Sequence, residues 1–551
     1  MSDCELAEQL ASPYAVPSVL PNQIIIQRYL DSVDRDLEAY NEQICDLEAT
    51  LANLRAIRDT LHERRSRLSS LFAPVRRLQS EVLQDIFLSA LAGLGGDNGN
   101  IFGSNNIWTS RTLRLSSVCS RWRTIVLDMP ALWSSFAFDL QARARYPVEL
   151  FVSRSRDQLL SVRITSFPHV SASGLKTLGM IVANTGRIAW LDYHGLTHQG
   201  CLKIFNSKLF FPSLRHTFWT SDNTSGLQTP APLLDTVVCR YVKDTTLRLP
   251  TSVPLNQLRN ITFQWGPPLS LIDIFRVLRA HELQYSLEYL CFASPPGIYT
   301  TNGFGKARHL ECPEVEGDAV ELQGLKELRI ALYDRDGVYL HIADIMGHLS
   351  LPSLTTLHLI GDCDRDGMFQ GIWPRTIIHR FFTRSWCGGI LTAVIFDGIP
   401  IPDSDIIAFL NHTPSLESLM LNELFAKNHS RNPVNGSGLG FGESLQSISK
   451  TFINALNTRR YPSQTAFLPK LRSLHLRAHN HFDADDEFVD MVRSRWHPRQ
   501  LENESLGYDS IREVSLMILN RDLDSQVYEP LKVLEKEGLR VVVSGNGRIV
   551  V

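Results

Sequence analysis

The residues whose types and spacing most resemble a reactive or ligand-binding site are a short acidic run. Asp362-Cys363-Asp364-Arg365-Asp366-Gly367 reproduces the first half of a calcium-binding EF-hand loop, with oxygen donors at alternate positions and a glycine for the sharp turn. That chemistry needs a bidentate acid at the twelfth position, and the twelfth residue is Trp373. A similar Asp334-Arg335-Asp336-Gly337 stands nearby. Both are read as acidic turns that follow strands, and no metal site is expected. Cysteines fall at 4, 45, 119, 201, 239, 291, 312, 363 and 387, odd in number and with no C-x-x-C. That spacing supports neither a disulfide framework nor a zinc module, and reduced, buried thiols are expected. There is no G-x-x-x-x-G-K-S/T, G-x-S-x-G or H-E-x-x-H, and the 17 histidines are dispersed. No catalytic residue and no cofactor is expected, and the chain does not read as an enzyme.

The elements that would position a binding site say more. Formal net charge is -3 and the pI about 6.6, so bulk electrostatics suggest neither nucleic acid nor membrane as a partner. No run approaches 18 apolar residues, and the first twenty carry Asp3, Glu5 and Glu8 rather than a secretory leader. A cytoplasmic or nuclear location, or both, is the expectation. At 551 residues the chain has room for about three or four domain-sized units.

Residues 1–22, with three prolines, read as a flexible tail. Residues 23–73 read as one long amphipathic helix of the coiled-coil type. With Leu30 at a, the a and d positions are Leu30, Val33, Leu37, Tyr40, Ile44, Leu47, Leu51, Leu54, Arg58, Leu61, Arg65, Leu68 and Phe72. Such a stripe needs a partner. A parallel homodimer satisfies it, and so does packing on the chain's own remainder. The arginines at 64, 65 and 67 read as a solvated face.

Pro74 ends that helix. A helical pattern follows from Val75 through Leu78, Val82, Leu83, Ile86 and Phe87 to Leu91. The stretch Gly93–Asn106, rich in Gly and Asn, reads as a loose loop. A third apolar segment runs from Leu113 to Leu127, closed by Pro130 and Leu132-Trp133. Three phrases stand in order here: SEVLQDIF from Ser80, VCSRWR from Val118, and PALW from Pro130. Together they resemble the F-box, in the version common in mushroom-forming fungi, although the usual Leu-Pro-x-Glu opening is Leu78-Gln79-Ser80-Glu81 in this chain. The resemblance covers residues 74–136. It implies a small all-α domain that binds the adaptor subunit of a cullin-type ubiquitin ligase. The adaptor-binding residues it implies are Val82, Leu83, Ile86, Phe87, Leu115, Val118, Cys119, Trp122, Leu132 and Trp133.

Residues 137–551 repeat one phrase, L-x-x-L-x-L with substitutions. Copies begin at Leu214, Leu234, Leu258, Leu287, Leu325, Leu354, Leu391, Leu416, Leu471 and Ile511, with a degenerate one at Ala307. This resembles an irregular leucine-rich repeat, an α/β solenoid in which each phrase supplies a short strand. Leu271–Leu283 and Asp403–Leu410 read as outer helices, and the Gly- and Asn-rich Asn428–Glu443 as an insertion. The combined resemblance implies a substrate receptor: the F-box holds the adaptor, and the repeats hold a protein substrate whose identity and contact residues the sequence leaves open. A ligase-independent scaffold, with a dimerising helix at one end and a repeat surface at the other, is the alternative.

Overall fold

The computed structural model describes residues 23–70, 72–92, 100–102, 108–141, 145–166, 170–195, 209–220, 231–240, 255–264, 271–293, 319–332, 338–361, 373–399, 401–423, 447–459, 466–497 and 507–551. The tail 1–22, the degenerate phrase at Ala307, both acidic turns and the insertion Asn428–Glu443 lie outside these residues. By its contacts the chain divides into two units, Met1–Ile86 and Phe87–Val551.

The first unit is dominated by α1, Gln23–Ser70. It has no internal Pro or Gly, and its 48 residues span about 72 Å at 1.5 Å per residue. It starts seven residues before the first heptad position at Leu30. Every residue from Gln27 to Ser69 is exposed, the whole apolar seam included. A 3-10 turn, Pro74–Arg77, follows the break that Pro74 enforces. Next comes α2, Ser80–Ala92, within which the division between the units falls.

In the second unit the Gly/Asn stretch departs from expectation. Rather than a loose loop throughout, Asn100–Phe102 forms a strand, β1, paired antiparallel with β2, Trp108–Ser110. It also pairs parallel with β3, Ser135–Asp139. The pairing gives β3 a backbone partner on the side away from Leu160–Ser166. The single segment Leu113–Leu127 is two helices, α3 (Arg111–Val118) and α4 (Ser120–Leu127). Ser110 caps α3 by accepting from the Leu113 N–H, and the Cys119 Sγ accepts from the Trp122 N–H at 3.5 Å to start α4.

From β3 onward the chain builds one large parallel sheet that does not close into a barrel. Its strands are β4 Leu160–Ser166, β5 Ile188–Gly195, β6 His216–Thr220, β7 Thr236–Arg240, β8 Asn260–Gln264 and β9 Tyr289–Ala293. They continue as β11 Glu327–Leu332, β13 Thr356–Gly361, β14 Ala393–Asp397, β15 Ser418–Asn422, β16 Ser473–Ala478, β17 Glu513–Ile518 and β18 Arg540–Gly545. Each pairs with the strand before it and the strand after it, so sheet order is chain order. A short β19, Arg548–Ile549, turns back antiparallel on β18. Two short strands, β10 Val320–Glu321 and β12 Leu349–Ser350, pair separately.

The reason for the register is visible in the phrases. Each of the ten phrases from Leu214 to Ile511 among the described residues lies on a strand that begins two residues after its first residue. That first residue is fully buried in each copy. In most copies its N–H closes a turn onto a carbonyl three residues back, as Leu354 does on Leu351 and Leu416 on Thr413. The next two apolar positions enter the strands and stack in columns. Leu328, Leu357, Val394, Leu419, Leu474 and Val514 are register partners in series, and all are buried. In these six strands the residue between the two apolar positions points to the other sheet face and is partly open.

Helices connect the strands. After α5 (Arg145–Arg154) and α6 (Ala172–Val182), Leu271–Leu283 proves to be two short helices, α7 (Leu271–Leu278) and α8 (His281–Ser286). The series continues with α9 Val338–His348, α10 Arg375–Ser385, α11 Asp403–Leu410, α12 Lys450–Leu456, α13 Asp485–Arg495 and α14 Ser525–Lys536. From α9 to α14 each helix touches the next, forming a second layer beside the sheet. Arg495, fully buried at the end of α13, donates to the Leu456 carbonyl at 2.6 Å, to Leu468 at 3.0 Å and to Phe467. Burial lowers its pKa to about 10, and those carbonyls satisfy the charge. No helix among the described residues is long and apolar enough to cross a membrane.

Candidate functional site

The ten residues named as adaptor contacts divide by environment. On α2, Leu83 and Phe87 are buried, at 0% and 1% exposure, whereas Val82 and Ile86 are exposed at 41% and 45%. Spacing by four places Val82 and Ile86 on one helix face and Leu83 and Phe87 on another. Val75, not among the ten, is also exposed in the first unit.

In the second unit Phe87 meets the edge of Trp122, ring centroids 4.8 Å apart, which leaves Trp122 half-buried. Leu132 and Trp133 are both at 1% exposure. The Trp133 Nε1 donates to the Val126 carbonyl at 2.8 Å, its ring packs on Phe151 at 4.9 Å, and the Arg154 guanidinium lies over it at 5.2 Å. The Leu132 carbonyl accepts from the buried Thr112 hydroxyl at 2.8 Å. The P-x-L-W phrase is therefore structural in this chain: it pins α3, α4 and α5 together. Leu83, Phe87, Leu132 and Trp133 are thus buried in this chain, as expected of large apolar side chains, which are worth more buried than exposed. Leu115 is half-buried, and Val118 and Cys119 are exposed. Val118 lies open at 59%, and Cys119 has its cap to make.

The other candidate surface is the sheet face opposite the leucine columns. Along it run Arg329, His358, Ile395, Met420, His475 and Ser515, register partners in neighbouring strands and all partly open. Arg477 is half-buried, and Met517 and Val542 are exposed at 40% and 47%. His475 is held by Ser473 at 3.0 Å, and the His358 Nε2 lies 3.8 Å from Glu327. Burial lowers the His358 pKa, with Glu327 opposing and Arg329 reinforcing the shift. Apolar and polar groups mixed on an open face suit a protein partner better than a small molecule.

One cluster was not visible in the sequence. Asp192 on β5 is buried and bonds to the His216 Nε2 at 3.2 Å, with Arg163 of β4 at 3.5 Å. The Trp190 ring stacks on His216, centroids 3.5 Å apart. Burial pushes the Asp192 carboxyl up, but hydrogen bonds from His216 and Trp190 and the charges of His216 and Arg163 outweigh it, so its pKa lies below the usual aspartate range. The cluster ties three strands together. Its members are 24 or more residues apart in pairs such as Asp192 and His216, so no local motif announces it.

A cleft of about 590 Å³ opens among Leu410, Asn411, Pro414, Ala455, Leu456, Asn457, Thr458, Phe467 and Pro469. None of these side chains titrates, so the cleft offers no acid or base. Of the described cysteines, Cys239, Cys291 and Cys387 are buried, and Cys45 and Cys119 are exposed. Burial pushes the Cys239 thiol up to about 12 and Cys387 to about 11, which keeps both protonated and unreactive. Among the described residues no group of three or more His, Cys, Asp or Glu side chains is placed to hold a metal ion. Compared with known proteins, the chain matches no family model and no curated protein.

Proposed function

We propose that this chain is a non-catalytic substrate receptor of a cullin-type ubiquitin ligase. Residues 74–136 act as an F-box that binds the adaptor, and the sheet region acts as an irregular leucine-rich-repeat solenoid that holds a protein substrate. The observation that carries the reading is the ordered trio SEVLQDIF, VCSRWR and PALW within about sixty residues. The environment of α2 supports it. Helices that bury Leu83 and Phe87 while leaving Val82 and Ile86 in water retain apolar surface for a partner. The solenoid reading is supported by the in-order parallel strands, the buried leucine columns and the helix layer. Each unit covers its neighbour's apolar face, as repeat architectures require.

The role is proximity. A receptor that holds adaptor and substrate at once raises the local concentration of substrate lysines near a charged conjugating enzyme, and does no bond chemistry itself. Affinity purification of the tagged full chain, followed by mass spectrometry, tests this. Adaptor and cullin are expected among the co-purifying proteins, and both should be depleted for Ile86→Glu. Recovery of neither with the folded wild-type chain would overturn the ligase reading and leave a scaffold.

A further inference from the structure

We propose that α1 pairs with α1 of a second copy of this chain in antiparallel orientation, acidic half against basic half. The seam calls for a partner: Leu30, Val33, Leu37, Ile44, Leu47, Leu51, Leu54, Leu61 and Leu68 are all exposed. Two observations select the occupant and its direction.

The first is charge. Between Asp31 and Glu48 the helix carries seven carboxylates and one arginine, Arg35. Between Arg55 and Arg67 it carries five arginines and His62 against Asp59 and Glu63. Two copies side by side in the same direction set acid on acid and base on base. Reversed, they set each half on its complement, and the flanking e and g positions bring Asp36 toward the second copy's Arg64 and Asp34 toward its His62. The intrahelical pairs Arg58–Asp59 and Arg67–Glu63 are exposed and weak enough to rearrange.

The second is the place of the two arginines in the seam. In a parallel pair, a positions face a positions, so Arg58 meets Arg58 and Arg65 meets Arg65, like charges in an apolar layer. In the antiparallel pair a faces d. The layers then read Leu30 with Leu68, Val33 with Arg65, Leu37 with Leu61, Tyr40 with Arg58, Ile44 with Leu54 and Leu47 with Leu51. Each arginine faces a different residue, and Arg58 lies on a tyrosine ring, a favourable cation–π arrangement. The parallel homodimer, the first form the heptad suggests, is thus the less favourable of the two.

Light scattering on the full chain, followed by disulfide trapping, tests this. Leu30→Cys and Leu68→Cys are placed in separate full-length chains, each also carrying Cys45→Ser and distinguishable tags, and disulfides are located by peptide mapping. The expected result is a dimer by mass, a disulfide linking Leu30→Cys of one chain to Leu68→Cys of the other on mixing, and none between two Leu30→Cys chains. A monomer at micromolar concentration, or a disulfide between two Leu30→Cys chains, overturns the proposal.

Discussion

Leu357 and His358 are neighbours in sequence and sit in opposite environments. Leu357 and Leu359 are fully buried between flanking strands, while His358 is half-open on the other face. Leu357→Ala is expected to cost about 2–5 kcal/mol, through lost contacts and a residual cavity. His358→Ala is expected to cost under about 1 kcal/mol, because its acidic neighbour Glu327 is 3.8 Å away and itself partly exposed. Denaturant melts of both variants check the split; equal costs would show that the alternation is wrong. Asp192 carries a second expectation. Its folded-state pKa lies below the unfolded value, so its contribution is full above about pH 4 and is lost as pH falls through the folded value. Asp192→Asn should therefore lower stability at neutral pH and flatten the loss of stability below about pH 4. Melts of wild type and variant across that range decide it, and parallel acid limbs would show that Asp192 does not set the acid sensitivity.

Helix α2 shows how two faces of one element can serve different ends. Leu83→Ala is expected to lower the melting temperature, since Leu83 is fully buried, while Val82→Ala with Ile86→Ala should leave it nearly unchanged. Differential scanning fluorimetry separates them. Burial of this kind was only partly legible in the sequence. Periodicity marks Val82, Leu83, Ile86 and Phe87 as apolar, but it cannot say which stripe the rest of the chain covers. Strands fared better where the phrase began with an anchoring leucine, as at Leu354 and Leu416, because one buried residue, a turn and two alternating positions make a long signal. Strands β3 to β5 lack that leading anchor, so Leu160–Ser166 alternates correctly yet matches no phrase. β18, with Leu539 directly before it, also breaks the offset. The Asp192–His216 pair was beyond reach, since its geometry exists only once β5 and β6 are in register.

Taken together, the chain joins a long helix with an exposed apolar seam, a small helical segment and a wide parallel sheet backed by helices. The helical segment and the sheet each have one covered face and one open face, whereas α1 is exposed from Gln27 to Ser69. The covered faces explain stability. On the reading proposed above, the open surfaces take partners: a second copy along α1, an adaptor at the helical segment, and a substrate across the sheet. If the sheet region behaves as a one-dimensional stack, its cooperativity depends on every unit having two neighbours. Function should then rest on the exposed residues alone, without cost to the fold. Titration of the purified full chain with the purified adaptor subunit tests the receptor role most directly. Saturable binding by wild type is expected, weakened at least about tenfold, about 1.4 kcal/mol, in Val82→Ala with Ile86→Ala at unchanged melting temperature. No binding by the folded wild type, or equal affinity for the variant, would contradict it.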